Sequence, residues 1–70
     1  MENNYFTAEE ENVIAIYRGK TRDVTVTSMS NVSKYINNRE MQYIMNLAVE
    51  KLKHLTEDEF KEMRFSYTEL

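Results

Sequence analysis

The sequence predicts an all-α fold, a compact bundle of three to four short helices that forms one domain over residues 1–70. The chain contains no proline and a single glycine, whereas sheets need turn residues at every reversal. Two Thr-x-x-Glu segments, which begin at Thr7 and Thr56, match the capping box that starts a helix. Apolar residues between 41 and 55 recur at spacings of three and four, which marks one face of a helix.

The first helix is predicted at residues 7–18. The Thr7 hydroxyl can accept a hydrogen bond from a free backbone N–H in the first turn, and Glu10 can accept one from the N–H of Thr7. The acidic side chains of this turn also lie at the positive end of the helix dipole. We expect the helix to end at Gly19, because glycine accepts the left-handed backbone that commonly follows a helix.

The second helix is predicted at residues 22–36, but this segment is ambiguous. Val24 and Val26 alternate with polar residues, as in a half-buried strand. The helical spacing of three and four covers more residues: Val26, Met29, Val32, Tyr35 and Ile36. A lone strand would also lack a partner in this chain. The pattern therefore favours a helix, with a strand over its first part left open as the alternative.

The third helix is predicted at residues 39–55, where the periodic pattern is longest. Its main apolar face consists of Met41, Ile44, Met45, Ala48, Leu52 and Leu55. Asn37 or Asn38 can cap its beginning, and basic side chains suit its negative C-terminal end.

The fourth helix is predicted at residues 57–64. Thr56 and Glu59 form its capping box, and Leu55 and Phe60 stand in the two positions of a hydrophobic staple. We expect the segment after residue 65 to be short and loose.

Composition excludes several classes of protein. The chain has no cysteine, which removes disulfides, thiolate zinc sites and cysteine nucleophiles. Its net charge of −3 does not favour nucleic acid as a partner. No run of apolar residues is long enough to span a membrane, and the first residues do not resemble a secretory signal. We therefore expect a cytoplasmic protein without a membrane partner.

Two blocks of sequence together resemble a known family. The first contains Phe6-Thr7, Glu9-Glu10, Asn12, Ile14 and Ile16-Tyr17, followed by Arg22. The second contains Ala48, Lys51-Leu52 and Leu55-Thr56-Glu57-Asp58-Glu59-Phe60. This pattern resembles the transposon-transfer assisting protein family, small proteins of conjugative transposons in anaerobic gut bacteria, over roughly residues 5–65. The resemblance implies a compact helical protein that assists transfer of the element, and it supplies no catalytic residue.

Catalysis is not expected from any motif. Residues 18–21 read RGKT, the end of a phosphate-binding loop, but the required glycine five positions before Gly19 is Ile14. His54 is the single histidine, and it lies near acidic residues of the third and fourth predicted helices. Metal sites need three or four ligands with supporting contacts, and the acids are already explained as helix-start residues. We therefore predict no metal, no cofactor and no enzymatic activity.

A basic segment in the middle of the chain suggests DNA binding as the alternative function. Residues 18–39 contain one acid, Asp23, and five basic residues, which are Arg18, Lys20, Arg22, Lys34 and Arg39. Because phosphate contacts dominate DNA affinity, such a segment could serve a small DNA-binding accessory or regulator of the element. Tyr17, Tyr35 and Tyr43 lie at helical spacing beside apolar residues, so we expect them in the core instead of stacked on bases.

The favoured hypothesis is a non-enzymatic accessory that binds another protein of the mobile element or its host. It follows by elimination of the other classes. Tyr43, Leu47 and Val49 lie outside the main apolar face of the third predicted helix. We expect one of them to lie at the surface that binds a partner protein or at the self-association surface of a weak homo-oligomer.

Overall fold

The computed structural model describes residues 5–65 and contains four helices in this range. These are α1 (Ala8–Tyr17), α2 (Arg22–Ser33), α3 (Arg39–Lys53) and α4 (Glu57–Glu62). No residue from 5 to 65 lies in a strand, so the all-α prediction is confirmed and the strand alternative at the start of α2 is wrong. Each helix is one to three residues shorter than predicted at one or both ends. The predicted loose tail lies outside the described residues.

Each helix begins at a polar side chain that accepts a backbone N–H. Thr7 and Thr56 form complete capping boxes with the glutamates three residues later, as predicted. Thr21 caps α2 by accepting the N–H of Val24, and Asn38 caps α3 by accepting the N–H of Met41. The sequence therefore defines the four helix starts locally.

The core lies between α1, α2 and α3, with α4 packed against α2. Its largest fully buried side chains are Phe60, Ile14, Met29, Met45, Leu52 and Thr25. Thr25 is the polar member of this set. Its hydroxyl donates to the Thr21 carbonyl at 2.8 Å and accepts the Gly19 N–H at 2.9 Å, which satisfies it without water.

Gly19 does not end α1 in the way predicted. The helix stops at Tyr17, Arg18 is extended with φ −60° and ψ 123°, and Gly19 does not adopt a positive φ. Space explains the glycine, because a Cβ added there would collide with the side chain of Val24 in the first turn of α2. The prediction that a left-handed residue ends this helix is therefore wrong. Gly19 allows the α1–α2 turn to pass close to α2.

Candidate interaction surface

The outer face of α3 presents a stripe of exposed side chains. We define this outer face as Arg39, Tyr43, Asn46, Leu47 and Glu50. All of these are exposed except Leu47, which is half-buried, and Tyr43 retains 64% of its accessible surface. The face arises because α3 contacts α1 and α2 on its other side, so the opposite side remains open.

Val49 was predicted as a possible interface residue, but it lies on the core-facing side of α3. Val49 is only 6% exposed and packs in the core with Met45, Ala48 and Leu52. The helices α1 and α2 cover more of the α3 surface than its main apolar face alone, and Val49 lies in the additional covered part. Val49 therefore cannot form a surface contact, whereas Tyr43 remains accessible and Leu47 partly so.

Two of the three tyrosines expected in the core are exposed. Tyr35 follows α2 and is 83% exposed, and Tyr43 is on the outer face of α3. Tyr17 alone is half-buried and packs against the core as predicted. The expectation for Tyr35 fails because α2 ends at Ser33, so the helical spacing that suggested a core position does not continue to it.

Arg18 is held by the C-terminal end of α4. Its guanidinium donates to the carbonyls of Phe60 at 3.3 Å and Met63 at 3.2 Å. It also lies over the Phe60 and Phe65 rings, 4.6 and 5.2 Å from their centroids. The Phe60 carbonyl also accepts the Met63 N–H at 3.2 Å, so Arg18 adds a second donor there and supplies a donor to the Met63 carbonyl. The charge of Arg18 therefore has a structural use at the end of α4.

Arg22 and Glu57 join three helices. The Arg22 guanidinium donates to the Lys53 carbonyl at 3.4 Å, in the last turn of α3, and to the Leu55 carbonyl at 2.5 Å, just after that helix ends. The Glu57 carboxylate accepts the backbone N–H groups of Arg22 at 2.8 Å and Asp23 at 3.3 Å, at the start of α2. A hydrogen bond from Arg22 to Asp23 raises the pKa of Arg22 above its ordinary value, so the guanidinium stays charged.

The basic segment is therefore divided in the folded protein. Arg18 and Arg22 are bound to backbone carbonyls of other helices, as described above. Lys20, Lys34 and Arg39 are exposed. Five basic residues were predicted to contact DNA. Three of them, Lys20, Lys34 and Arg39, make no described hydrogen bond to a backbone carbonyl of another helix, so their charges are accessible to a partner.

Glu10 has a second role that the sequence did not indicate. It is only 2% exposed, and its Oε1 accepts both the Thr7 N–H at 2.9 Å and the Lys51 ammonium at 2.7 Å. Lys51 also donates to the Tyr5 carbonyl at 3.2 Å. The capping carboxylate of α1 thus pairs with α3. A Glu–Lys contact over 41 residues leaves no local pattern, so only packing reveals it.

The structure does not gather ligands around His54. This residue is the C-cap of α3 and is exposed. Among residues 5–65, no group of three or more histidine, aspartate or glutamate side chains is placed to hold a metal ion. A shallow, open depression lies along α2 and is lined by Asp23, Val24, Thr27 and Ser28. In the same part of the chain, no helix is long and apolar enough to cross a membrane.

These features define a small helical protein with four helices in residues 5–65, where several acidic and basic side chains bind backbone groups at helix ends. Comparison with family models matches residues 6–66 to the family described as "Putative transposon-transfer assisting protein". The match covers nearly the whole chain, so the protein belongs to this family. Its suggested role is to assist the transfer of a transposon. Neither the curated proteins nor the solved structures include a significant match to this chain.

Proposed function

We propose that this protein is a non-enzymatic, cytoplasmic accessory that assists transposon transfer by binding another protein through the outer face of α3. The observation that carries the proposal is Tyr43, which is 64% exposed in the first half of the longest helix and faces away from the core. The family description supplies the role in transfer, and the outer face of α3 supplies a surface for it.

The chemistry of this face supports a protein partner. Tyrosine offers a large ring with a polar end and loses little conformational freedom when it is fixed, so it is enriched at interfaces and among their energetic hot spots. Leu47 lies one turn from Tyr43 and adds partly accessible apolar area. Arg39, Asn46 and Glu50 surround this centre with polar groups, which resembles the rim of a protein interface.

DNA binding is the weaker proposal because two of its cations have other uses. Arg18 and Arg22 close helix ends, and their release would leave backbone carbonyls without these donors. Duplex binding would then depend on Lys20, Lys34 and Arg39 in a chain of net charge −3. If DNA is nevertheless the partner, replacing Lys20 and Arg39 by Ala should weaken binding, and added salt should weaken it steeply.

A transfer assay with Tyr43→Asp tests the proposal. A donor strain that lacks the gene is complemented with the wild-type or variant chain, and transfer frequency is measured by mating. A charge at the centre of an interface should reduce partner affinity by about thirtyfold, the effect of losing one hot-spot residue, and transfer should fall with it. Far-UV circular dichroism of the purified variant should remain that of the wild type, because Tyr43 is outside the core.

Tyr35→Asp is the matched control. Tyr35 is also an exposed tyrosine, at 83%, and it follows the end of α2 and does not belong to the outer face of α3. This variant should support normal transfer. Equal transfer by Tyr43→Asp and the wild type, at equal protein levels, would refute the use of the outer face of α3.

A further inference from the structure

We propose that the protein bound by the outer face of α3 is a second copy of this chain, with the two α3 helices packed antiparallel about a two-fold axis. This inference rests on the proposed function, since it names the partner of the same face. The supporting observation is the order of charges along α3, with a basic residue near its start and an acidic residue near its end. Opposite charges meet across two such helices only when the second helix runs in the opposite direction.

The spacing of the exposed residues suits contact between two helices. Arg39, Tyr43, Asn46 and Glu50 follow one another at steps of four, three and four, and all of them are exposed. This alternation of three and four is the repeat by which one helix keeps a continuous seam against another. The 15 residues of α3 give a seam of about 22 Å at the usual rise per residue.

The charges at the two ends of this seam are opposite. Arg39 begins α3, and Glu50 lies three turns later, about 16 Å along the axis. In an antiparallel pair, Arg39 of each copy is opposite Glu50 of the other, so two attractive contacts form. In a parallel pair, Arg39 would meet Arg39 and Glu50 would meet Glu50, and both contacts would be repulsive.

The same alignment puts the tyrosines at the centre. When Arg39 is opposite Glu50 of the second copy, Tyr43 is opposite its Asn46, and the two-fold axis passes between these residues. Each Tyr43 ring can then cover the Asn46 side chain, with its hydroxyl near amide donors and acceptors. Leu47 lies beside this centre and contributes apolar contact.

Glu50 is available for such a contact. It is paired within α3 to Lys53 at 3.5 Å, but both side chains are more than half exposed, at 65% and 55%. Exposed pairs at this spacing contribute little to stability, so Glu50 can exchange Lys53 for Arg39 of the second copy. The exchange is favoured by the bidentate geometry of the arginine guanidinium.

The interface is small and mostly polar, so the dimer is expected to be weak. One helix face per copy buries less than the roughly 800 Å² per partner of a standard stable complex. Association should therefore appear by sedimentation equilibrium of the full chain between about 10 µM and about 1 mM, the range of dissociation constants typical of weak contacts. Added salt should weaken it, because the end contacts are exposed ion pairs.

Charge reversal distinguishes this pairing from other contacts. Arg39→Glu and Glu50→Arg each put like charges opposite one another at both ends of the seam, and each should weaken self-association about tenfold or more. An equimolar mixture of the two variants restores both attractive contacts, so it should associate as the wild type does. The double variant Arg39→Glu/Glu50→Arg should likewise associate as the wild type does.

Two exposed residues of α4 provide controls. Lys61→Glu and Glu62→Arg change the net charge by the same amounts, yet they lie on the helix that packs against α2, and they should leave association unchanged. A chain that is monomeric throughout this range, or a mixture and double variant that stay as weak as the single variants, would overturn the inference.

The outcome also separates this inference from the proposed function. A monomeric chain whose transfer activity still requires Tyr43 would refute the second copy as partner and leave another protein on the same face. A chain that pairs with the expected charge pattern, but whose transfer is unaffected by Tyr43→Asp, would support the dimer and refute its role in transfer. Salt-sensitive DNA binding without self-association would count against both.

Discussion

Glycine is required at position 19 because the Val24 side chain lies close by, and not because residue 19 adopts a backbone conformation that only glycine favours. Its N–H donates to the buried Thr25 hydroxyl at 2.9 Å, which draws the α1–α2 turn toward α2. A Cβ at this position would fall 3.2 Å from the Val24 Cβ and still closer to its Cγ1. The Val24 Cγ1 can move away only by rotation about χ1, which is restricted for valine in a helix, and the tight contact with the Val24 Cβ would remain.

We predict that Gly19→Ala destabilises the protein by about 1–3 kcal/mol, the usual cost of adding volume where none is free. The sign of this change in the free energy of unfolding is informative. At an unstrained site, Gly→Ala stabilises a protein by about 0.4–1 kcal/mol because it reduces the conformational entropy of the unfolded chain. Urea denaturation measures the difference. Lys20→Ala, on the neighbouring exposed residue, should change stability by no more than about 0.5 kcal/mol. A more stable Gly19→Ala variant would show that the turn does not approach α2 so closely.

At the scale of the helices, each beginning has a local cap, and residues distant in sequence add contacts at the start of α2 and at the ends of α3 and α4. Thr7 and Thr56 accept N–H groups three residues later, so sequence alone located them. Glu57, in contrast, caps the start of α2 from 35 residues away, and Arg18 reaches carbonyls 42 and 45 residues later. Short helices such as α4 depend on such contacts, because isolated helices of this length are unstable in water.

We predict that Thr56→Ala lowers stability by about 1 kcal/mol, because the variant leaves the Glu59 N–H without its capping hydroxyl. Thermal or urea unfolding of the purified chain measures this change. The same substitution at Thr27, which is exposed within α2, should have no cost or a small gain, since Ala favours helix interiors. Equal stabilities of Thr56→Ala and Thr27→Ala would mean that the Thr56 hydroxyl contributes nothing to α4.

The helices were predictable from sequence to the extent that their signals are local. Caps and the spacing of three and four give the helix count, and together they correctly favour a helix where Thr and Val suggest a strand. The burial of Val49 was missed because it depends on how widely α1 and α2 cover α3. The structural uses of Arg18 and Arg22 were missed for a similar reason, since no local pattern says which helix ends meet.

At the scale of the whole molecule, α4 completes the packing and capping of the other three helices. It supplies Phe60, which is fully buried in the core, and Glu57, which caps α2. A 70-residue domain has little stability to spare, because it hides a smaller share of its surface than larger domains do. The fold is therefore expected to form as one cooperative unit.

We predict that a chain ending at Leu55 does not fold cooperatively. It would lose the Phe60 side chain from the core and leave the first N–H groups of α2 without the Glu57 carboxylate. Far-UV circular dichroism should show much less helix than the full chain, without a sigmoidal melt. A truncated chain that melts cooperatively near the midpoint of the full chain would mean that the first three helices are a domain by themselves.

The cap that Glu57 provides has a consequence for synthesis in the cell. The ribosome makes the chain from its N-terminus, so residue 22 leaves the ribosome before residue 57 does. Until then, the start of α2 lacks its carboxylate and the core lacks the Phe60 ring. The first three helices therefore complete their packing only after residues 57–60 have also left the ribosome. A premature stop before residue 57 would leave a polypeptide that lacks both groups and that proteases can degrade.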